Sequence, residues 1–382
     1  MRRTFAAVLS AASITWMLTV AVAGQAAPAQ QPQMAEAVFK NIQVLRGIPV
    51  DRFMATMGFF ASSLGLNCSD CHAEGSDADW ARYVDDTPLK RTTRGMVLMV
   101  GTINKTYFAG RQVVTCNTCH RGVPIPNVMP SIALLYSSPP PVEPGDPFQQ
   151  AAGQPPADQV LDKYLQAIGG AERLAALTSF VAKGTYMGYD SQEKSPLEVF
   201  ANARGQRTTI VHGLGGDTTT TLDGRAAWIA GPPSERPVPL LALTGQELDG
   251  VMLEATLFFP AARIKQALSN WRVGFPTTID DHDVHVVQGT TAGGGTATLC
   301  FDDTTGLLVR MVRFVEAPIG RLVTQVDYGD YRDVVGVKVP FRWTVSWLDG
   351  RSQYELNTLQ PNVPIDAARF STPAPSAPPA NR

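Results

Sequence analysis

Cys68-Ser69-Asp70-Cys71-His72 and Cys116-Asn117-Thr118-Cys119-His120 are the two stretches on which the reading of this chain turns. Both have the form C-x-x-C-H. Two thiols three positions apart on one helical turn can reach the two vinyl groups of a single porphyrin. The histidine that follows then presents its imidazole to the iron. The spacing implies two covalently bound haem c groups, attached through Cys68, Cys71, Cys116 and Cys119, with His72 and His120 as proximal ligands. Three other uses of paired cysteines compete. A redox dithiol normally follows a strand of an α/β fold, four cysteines can form structural disulfides, and four thiolates can hold one zinc. None of these accounts for a histidine directly after both pairs.

Working outward, each motif is preceded by an amphipathic helical pattern. Phe53, Met57, Phe60 and Leu64 form one stripe of a helix beginning near Val50. Thr87-Pro88 supplies a capping residue and a first-turn proline, and Met96, Met99, Ile103 and Tyr107 follow along one face. A methionine on such a stripe is ordinarily core. Here one such helix stands ahead of each haem motif, which favours Met57 and Met96 as distal iron ligands, with Met54 and Met99 one turn away as the competing pair. Arg91, Arg94, Arg111 and Arg121 are candidates for the haem propionates, because a guanidinium meets a carboxylate through two parallel hydrogen bonds.

From Lys40 to Gly122 the chain resembles the cytochrome c subunit of bacterial photosynthetic reaction centres. The resemblance is carried by Phe53-x-x-x-Met57, the first C-x-x-C-H, Arg94-Gly95-Met96, Ile103-Asn104, and Cys116 to Gly122 with Pro124. It implies electron transfer, with His72 and Met57 on one iron and His120 and Met96 on the other. The family has four haem motifs and this chain has two. In the family, a histidine between the second methionine and the second motif serves a haem outside the pair. The corresponding segment here, Lys105 to Thr115, contains no histidine.

The rest of the 382 residues organises around this module. Arg2 and Arg3, an apolar run and Ala21-Val22-Ala23 read as a cleaved signal peptide over 1–27, which implies export to the periplasm. A dihaem domain is expected over 33–121 and a Pro-rich linker over 122–156. An antiparallel sheet domain is expected over 157–370 and a disordered tail over 371–382. The expected fold is therefore multidomain: a small, mostly α dihaem domain, then an α+β domain with a long antiparallel sheet. Apolar alternation predicts strands at Phe180–Met187, Leu197–Ala203, Thr208–His212, Ala226–Ala230 and Val284–Val287, then at Ala297–Phe301, Leu307–Phe314, Leu322–Tyr328 and Val337–Trp347. A helix followed by many such strands is similar to the half-barrel of bacterial lipoprotein carriers, and that likeness implies a hydrophobic ligand. His282-x-x-His285 is a weak metal signal that reads better as strand-edge histidine, and Cys300 reads as a buried thiol. With a net charge of -2, nothing favours nucleic acid. The expected function is electron transfer between a redox donor and acceptor, one of them in a membrane complex, and not catalysis. The alternatives are a dihaem enzyme or sensor with one open haem, or a hydrophobe carrier regulated by haem.

Overall fold

The computed structural model describes residues 32–76, 79–137, 146–189, 191, 193–259 and 261–375. The expected signal peptide and the end of the expected tail lie outside them. From Gln31 onward the chain is one compact unit. Its N-terminal part is helical, and the rest is an open, half-barrel-like antiparallel sheet.

The two long helices of the first part begin where local chemistry places them. The helix Val50–Leu64 follows Pro49 and ends at Gly65 in the left-handed region, with φ of 63°. In the helix Pro88–Tyr107 the Thr87 hydroxyl accepts the Lys90 N–H at 3.2 Å, and Pro88 occupies the first turn. No helix among the described residues is long and apolar enough to cross a membrane.

The sheet consists of two meanders joined along one seam. The first comprises β1 (Ser179–Met187), β2 (Ser195–Asn202), β3 (Gln206–Gly213), β4 (Gly216–Leu222), β5 (Ala227–Ala230) and β6 (Leu240–Leu243). The second comprises β7 (Ser269–Val273), β8 (Thr277–Ile279), β9 (His282–Thr290), β10 (Thr296–Asp302), β11 (Leu308–Ala317), β12 (Gly320–Val334), β13 (Val337–Trp347) and β14 (Gly350–Pro361). β1 pairs antiparallel with β14, so the order runs from β6 through β1 to β14 and on to β7, with β8 beside β9. The strands expected from alternation are present. Alternation missed β4, β6, β7, β8 and β14: β6, β7 and β8 are only three to five residues long, β4 is a threonine run, and only Ser352 and Leu356 are buried along the whole of β14.

One face of the sheet is filled by its own helices. Val160, Leu161 and Tyr164 of the helix Ala157–Ala167 pack there, as do Leu253, Leu257 and Phe258 of the helix Gly245–Phe258. Arg313 is held between Glu247 and Glu254, 3.1 Å from each.

Several contacts seat the helical part on the sheet. Asp51 accepts the Thr244 N–H at 2.7 Å and its hydroxyl at 3.0 Å. Phe59 packs with Val315, Ile319 and Leu322, and its ring fills the place where a Cβ on Gly320 would stand, 2.4 Å away. Gln112 donates to the Ala317 carbonyl at 2.6 Å. The end of the Pro-rich stretch 122–156 is docked as well. Phe148 N–H reaches Gln288 Oε1 at 3.1 Å, and Ala151 N–H reaches the Val273 carbonyl at 2.8 Å.

Asp51 is the polar anchor of this arrangement, only 7% exposed. Asp51→Ala leaves the Thr244 N–H inside the seam without its acceptor, at a cost of about 1–3 kcal/mol. A lowered denaturant midpoint is the expected result, and an unchanged midpoint counts against a seam held at this point.

Candidate functional site

The first C-x-x-C-H begins with a capping box. The Asn67 side chain accepts the Asp70 N–H at 3.1 Å, and the Asp70 carboxylate accepts the Asn67 N–H at 2.9 Å. This closes Cys68–Cys71 into one turn, which brings both thiols and His72 to the wall of a cavity of about 1410 Å³. Ordinary small-ligand pockets span ~300–1,000 Å³. Met57, Phe60 and Leu64 line the same cavity from the helix Val50–Leu64. Four of the residues singled out from sequence, Met57, Cys68, Cys71 and His72, are thereby brought together. Met54 touches the cavity too, but it also packs against the cluster of Val50, Val238 and Leu241. Among the described residues, Met57 belongs to no such cluster.

His72 is set up as a neutral donor. Its pKa is pushed down to about 4, first by burial and then by the nearby Lys90 ammonium. Lys90 is fixed by hydrogen bonds to the Tyr83 and Asp85 carbonyls, 2.8 and 2.7 Å away. His72 Nδ1 is buried with no hydrogen-bond partner among the described residues, and the ring centre lies 4.3 Å from that of Tyr83. A neutral imidazole is the form that ligates metal.

The second motif is built differently. Asn104, 7% exposed on the helix Pro88–Tyr107, grips the approach to it. Its Oδ1 accepts the Val113 and Val114 N–H groups at 3.1 and 2.9 Å, and its Nδ2 donates to the Val114 carbonyl at 2.7 Å. Cys116–His120 then forms a helical turn with Cys116 buried and Cys119 exposed. His120 Nδ1 lies 3.1 Å from the Val123 carbonyl. With the proton on Nδ1, that bond leaves Nε2 as the free donor atom. Met96 and Met99 are 40% and 46% exposed on the same helix. The buried side of the helix Pro88–Tyr107 carries Val100 and Asn104, so the methionine stripe is exposed apolar surface. Among the described residues, the structure does not gather Met96 with Cys116, Cys119 and His120 in one cavity as it gathers Met57 with the first motif.

The two motifs meet at a pair of glycines. Gly122 N–H donates to the Ser63 carbonyl at 2.9 Å, and a Cβ on Gly65 would stand 2.2 Å from the Gly122 oxygen. The exit from the second motif is thereby packed against the approach to the first.

These donor sets fit c-type haem better than the other uses of the cysteines. None of the four motif cysteines forms a disulfide. Burial pushes the Cys71 and Cys116 thiols up, toward the neutral form and away from the thiolate that zinc requires. No group of three or more His, Cys, Asp or Glu gathers as a metal site among the described residues. His282 and His285 face separate carboxylates, Asp302 at 3.5 Å and Asp303 at 2.9 Å.

Of the arginines considered for propionates, Arg94 is already engaged by Asp86 at 2.7 Å. Arg236, which no motif or periodicity singles out, lines the first cavity from the loop between β5 and β6. Tyr186 of β1 and Tyr354 of β14 line it as well, so the sheet forms the cavity's far wall.

Residues 9–138 match the family described as photosynthetic reaction centre cytochrome C subunit. A reaction center cytochrome c subunit of Thermochromatium tepidum is 36% identical over 105 residues, which make up 26% of this chain and 24% of that protein. The chain therefore spans about a quarter of the length of the curated relative it matches. The other half of the chain is similar in shape to a LolA superfamily protein of Nitrosomonas europaea, at 14% identity and a TM-score of 0.39, covering 57% of this chain and 98% of that one. A DUF1329 family protein of Desulfovibrio piger has 9% identity, a TM-score of 0.40 and the same coverage.

Proposed function

We propose that the protein is an exported, periplasmic dihaem c-type cytochrome that transfers electrons, and that it is not an enzyme. The observation that carries this reading is the convergence of Met57, Cys68, Cys71 and a neutral His72 on one cavity. The similarity of residues 9–138 to the reaction centre cytochrome family supports it independently.

In this reading Cys68 and Cys71 hold one haem c through thioether links, and Cys116 and Cys119 hold the other. His72 and Met57 ligate the first iron; His120 and Met96 ligate the second. Bound haem supplies a one-electron iron couple. The chain's own contribution is to keep His72 deprotonated, to fix His120 through Val123, and to offer soft thioether donors that favour the ferrous state. Met96 and Met99, exposed on the helix Pro88–Tyr107, would be available to a haem held by Cys116 and Cys119. The partners are a redox donor and acceptor, with a membrane electron-transfer complex the class taken from the relative's name.

The exposure of Met96 favours a second reading, in which the second iron keeps an open position for sensing or catalysis. Carbon monoxide separates the two readings: closed His/Met sites exclude it and an open site binds it.

The chain, matured with a cytochrome c assembly system, is expected to show an intact mass increased by two haems. The Cys116→Ala, Cys119→Ala double variant is expected to retain one haem. A mass without haem defeats the proposal.

A further inference from the structure

We infer that the β-sheet completes the first haem site, and that Arg236 is the residue that receives a haem propionate there. This rests on the haem reading above and extends it to a part of the chain that lies outside the match to the cytochrome family.

A direct path of contacts ties Arg236 to the first motif. The His72 ring lies against Tyr83 at 4.3 Å, and Tyr83 lies against Trp80 at 5.1 Å. Trp80 Nε1 donates to the Pro233 carbonyl at 2.6 Å, three residues before Arg236 on the same loop. The loop between β5 and β6 is therefore fastened to the segment that follows the first C-x-x-C-H. Arg236 then lines the cavity together with Cys68, Cys71 and His72.

Its charge is not matched by a contact. Among the described residues the Arg236 side chain makes no ion pair and no side-chain hydrogen bond, and Glu235, beside it in sequence, is the largest influence in its favour. Burial pushes the guanidinium below its ordinary value, and the half-buried side chain stands at the cavity wall. Of the other cations lining the cavity, Arg94 is engaged by Asp86 and Lys90 by two carbonyls, and Lys40 carries a flexible ammonium rather than a planar fork. A haem brings two carboxylates into this space, and a planar guanidinium holds a carboxylate through two charge-assisted hydrogen bonds.

The consequence is electrostatic. A fixed positive charge at the haem edge opposes the extra positive charge of ferric iron, so removing it favours the ferric state and lowers the midpoint potential. The test is a spectroscopic redox titration of the full-length haem-loaded protein, run beside intact mass. Arg236→Leu is expected to keep two haems and to shift one midpoint downward by about tenfold in the relative stability of the two iron states, ~59 mV for a one-electron couple. The other midpoint is expected to stay in place, and Arg236→Lys to recover most of the shift. Should Arg236→Leu fail to accumulate, Arg236→Gln removes the charge while keeping a polar side chain, and the same shift is expected. Two haems with both midpoints unmoved in Leu and Gln variants overturn the inference and leave the haem reading intact. A chain that takes up no haem overturns both.

Discussion

Met57→His is expected to lower the midpoint potential of one haem and leave the other where it was. Methionine is a soft donor that favours ferrous iron, whereas a second imidazole favours the ferric state. Each tenfold change in the relative affinity for the two iron states moves a one-electron midpoint by ~59 mV, and the ligand swap is expected to exceed one such step. The sulfur-to-iron charge-transfer band of one haem should disappear in the same variant. The packing of the helix Val50–Leu64 explains why Met57, and not Met54, is expected to matter. Both side chains reach the cavity, but Met54 is committed to the cluster of Val50, Val238 and Leu241 against β6. Met54→Ala is thus expected to weaken the docking of the helix while the band persists. If Met54→Ala removes half of the band and Met57→Ala leaves it whole, the ligand is Met54. The corresponding swap at Met96 should act on the other haem alone.

The pieces of the candidate site that were legible in the sequence are those whose chemistry is local. A C-x-x-C-H motif sets its own geometry through one turn, and the Asn67–Asp70 box that closes the first of them spans only four residues. The methionine helices show because their period is 3.6, and the second also because Thr87 and Pro88 mark its start. The sheet was legible wherever one face is apolar, as along β10, β11 and β13. Contacts between distant segments left no trace. Nothing at Pro233 announces that Trp80 will donate to its carbonyl, and nothing at Arg236 announces a cavity whose other wall is the helix Val50–Leu64. The Pro-rich composition of 122–156 likewise reads as a spacer. Yet its last residues bond to β7 and β9 through backbone and glutamine groups that composition does not display.

Gly65→Ala is expected to disturb both haems at once, which no single ligand substitution does. Gly65 closes the helix Val50–Leu64 with φ of 63°, a conformation that costs an ordinary L-residue ~1–2 kcal/mol. The added methyl also has no room, since it would stand 2.2 Å from the Gly122 carbonyl oxygen, a backbone atom that cannot swing aside. Gly122 follows the second motif by two residues, and Gly65 precedes the first by three. Relieving the clash must therefore move the approach to Cys68, the exit from His120, or both. Gly110 supplies the control, with φ of 80° and nothing within 4 Å of the place its Cβ would take. Gly110→Ala carries the backbone strain alone, so the excess destabilisation of Gly65→Ala over Gly110→Ala isolates the collision, expected at about 1–3 kcal/mol for an overpacked contact. Denaturant midpoints followed at the haem absorbance measure the difference, and the dichroism of each haem reports whether its pocket has moved. Equal midpoints for the two variants would mean that the two motifs do not lean on each other at this glycine pair. A change confined to one haem's dichroism would mean that the displacement is absorbed on one side.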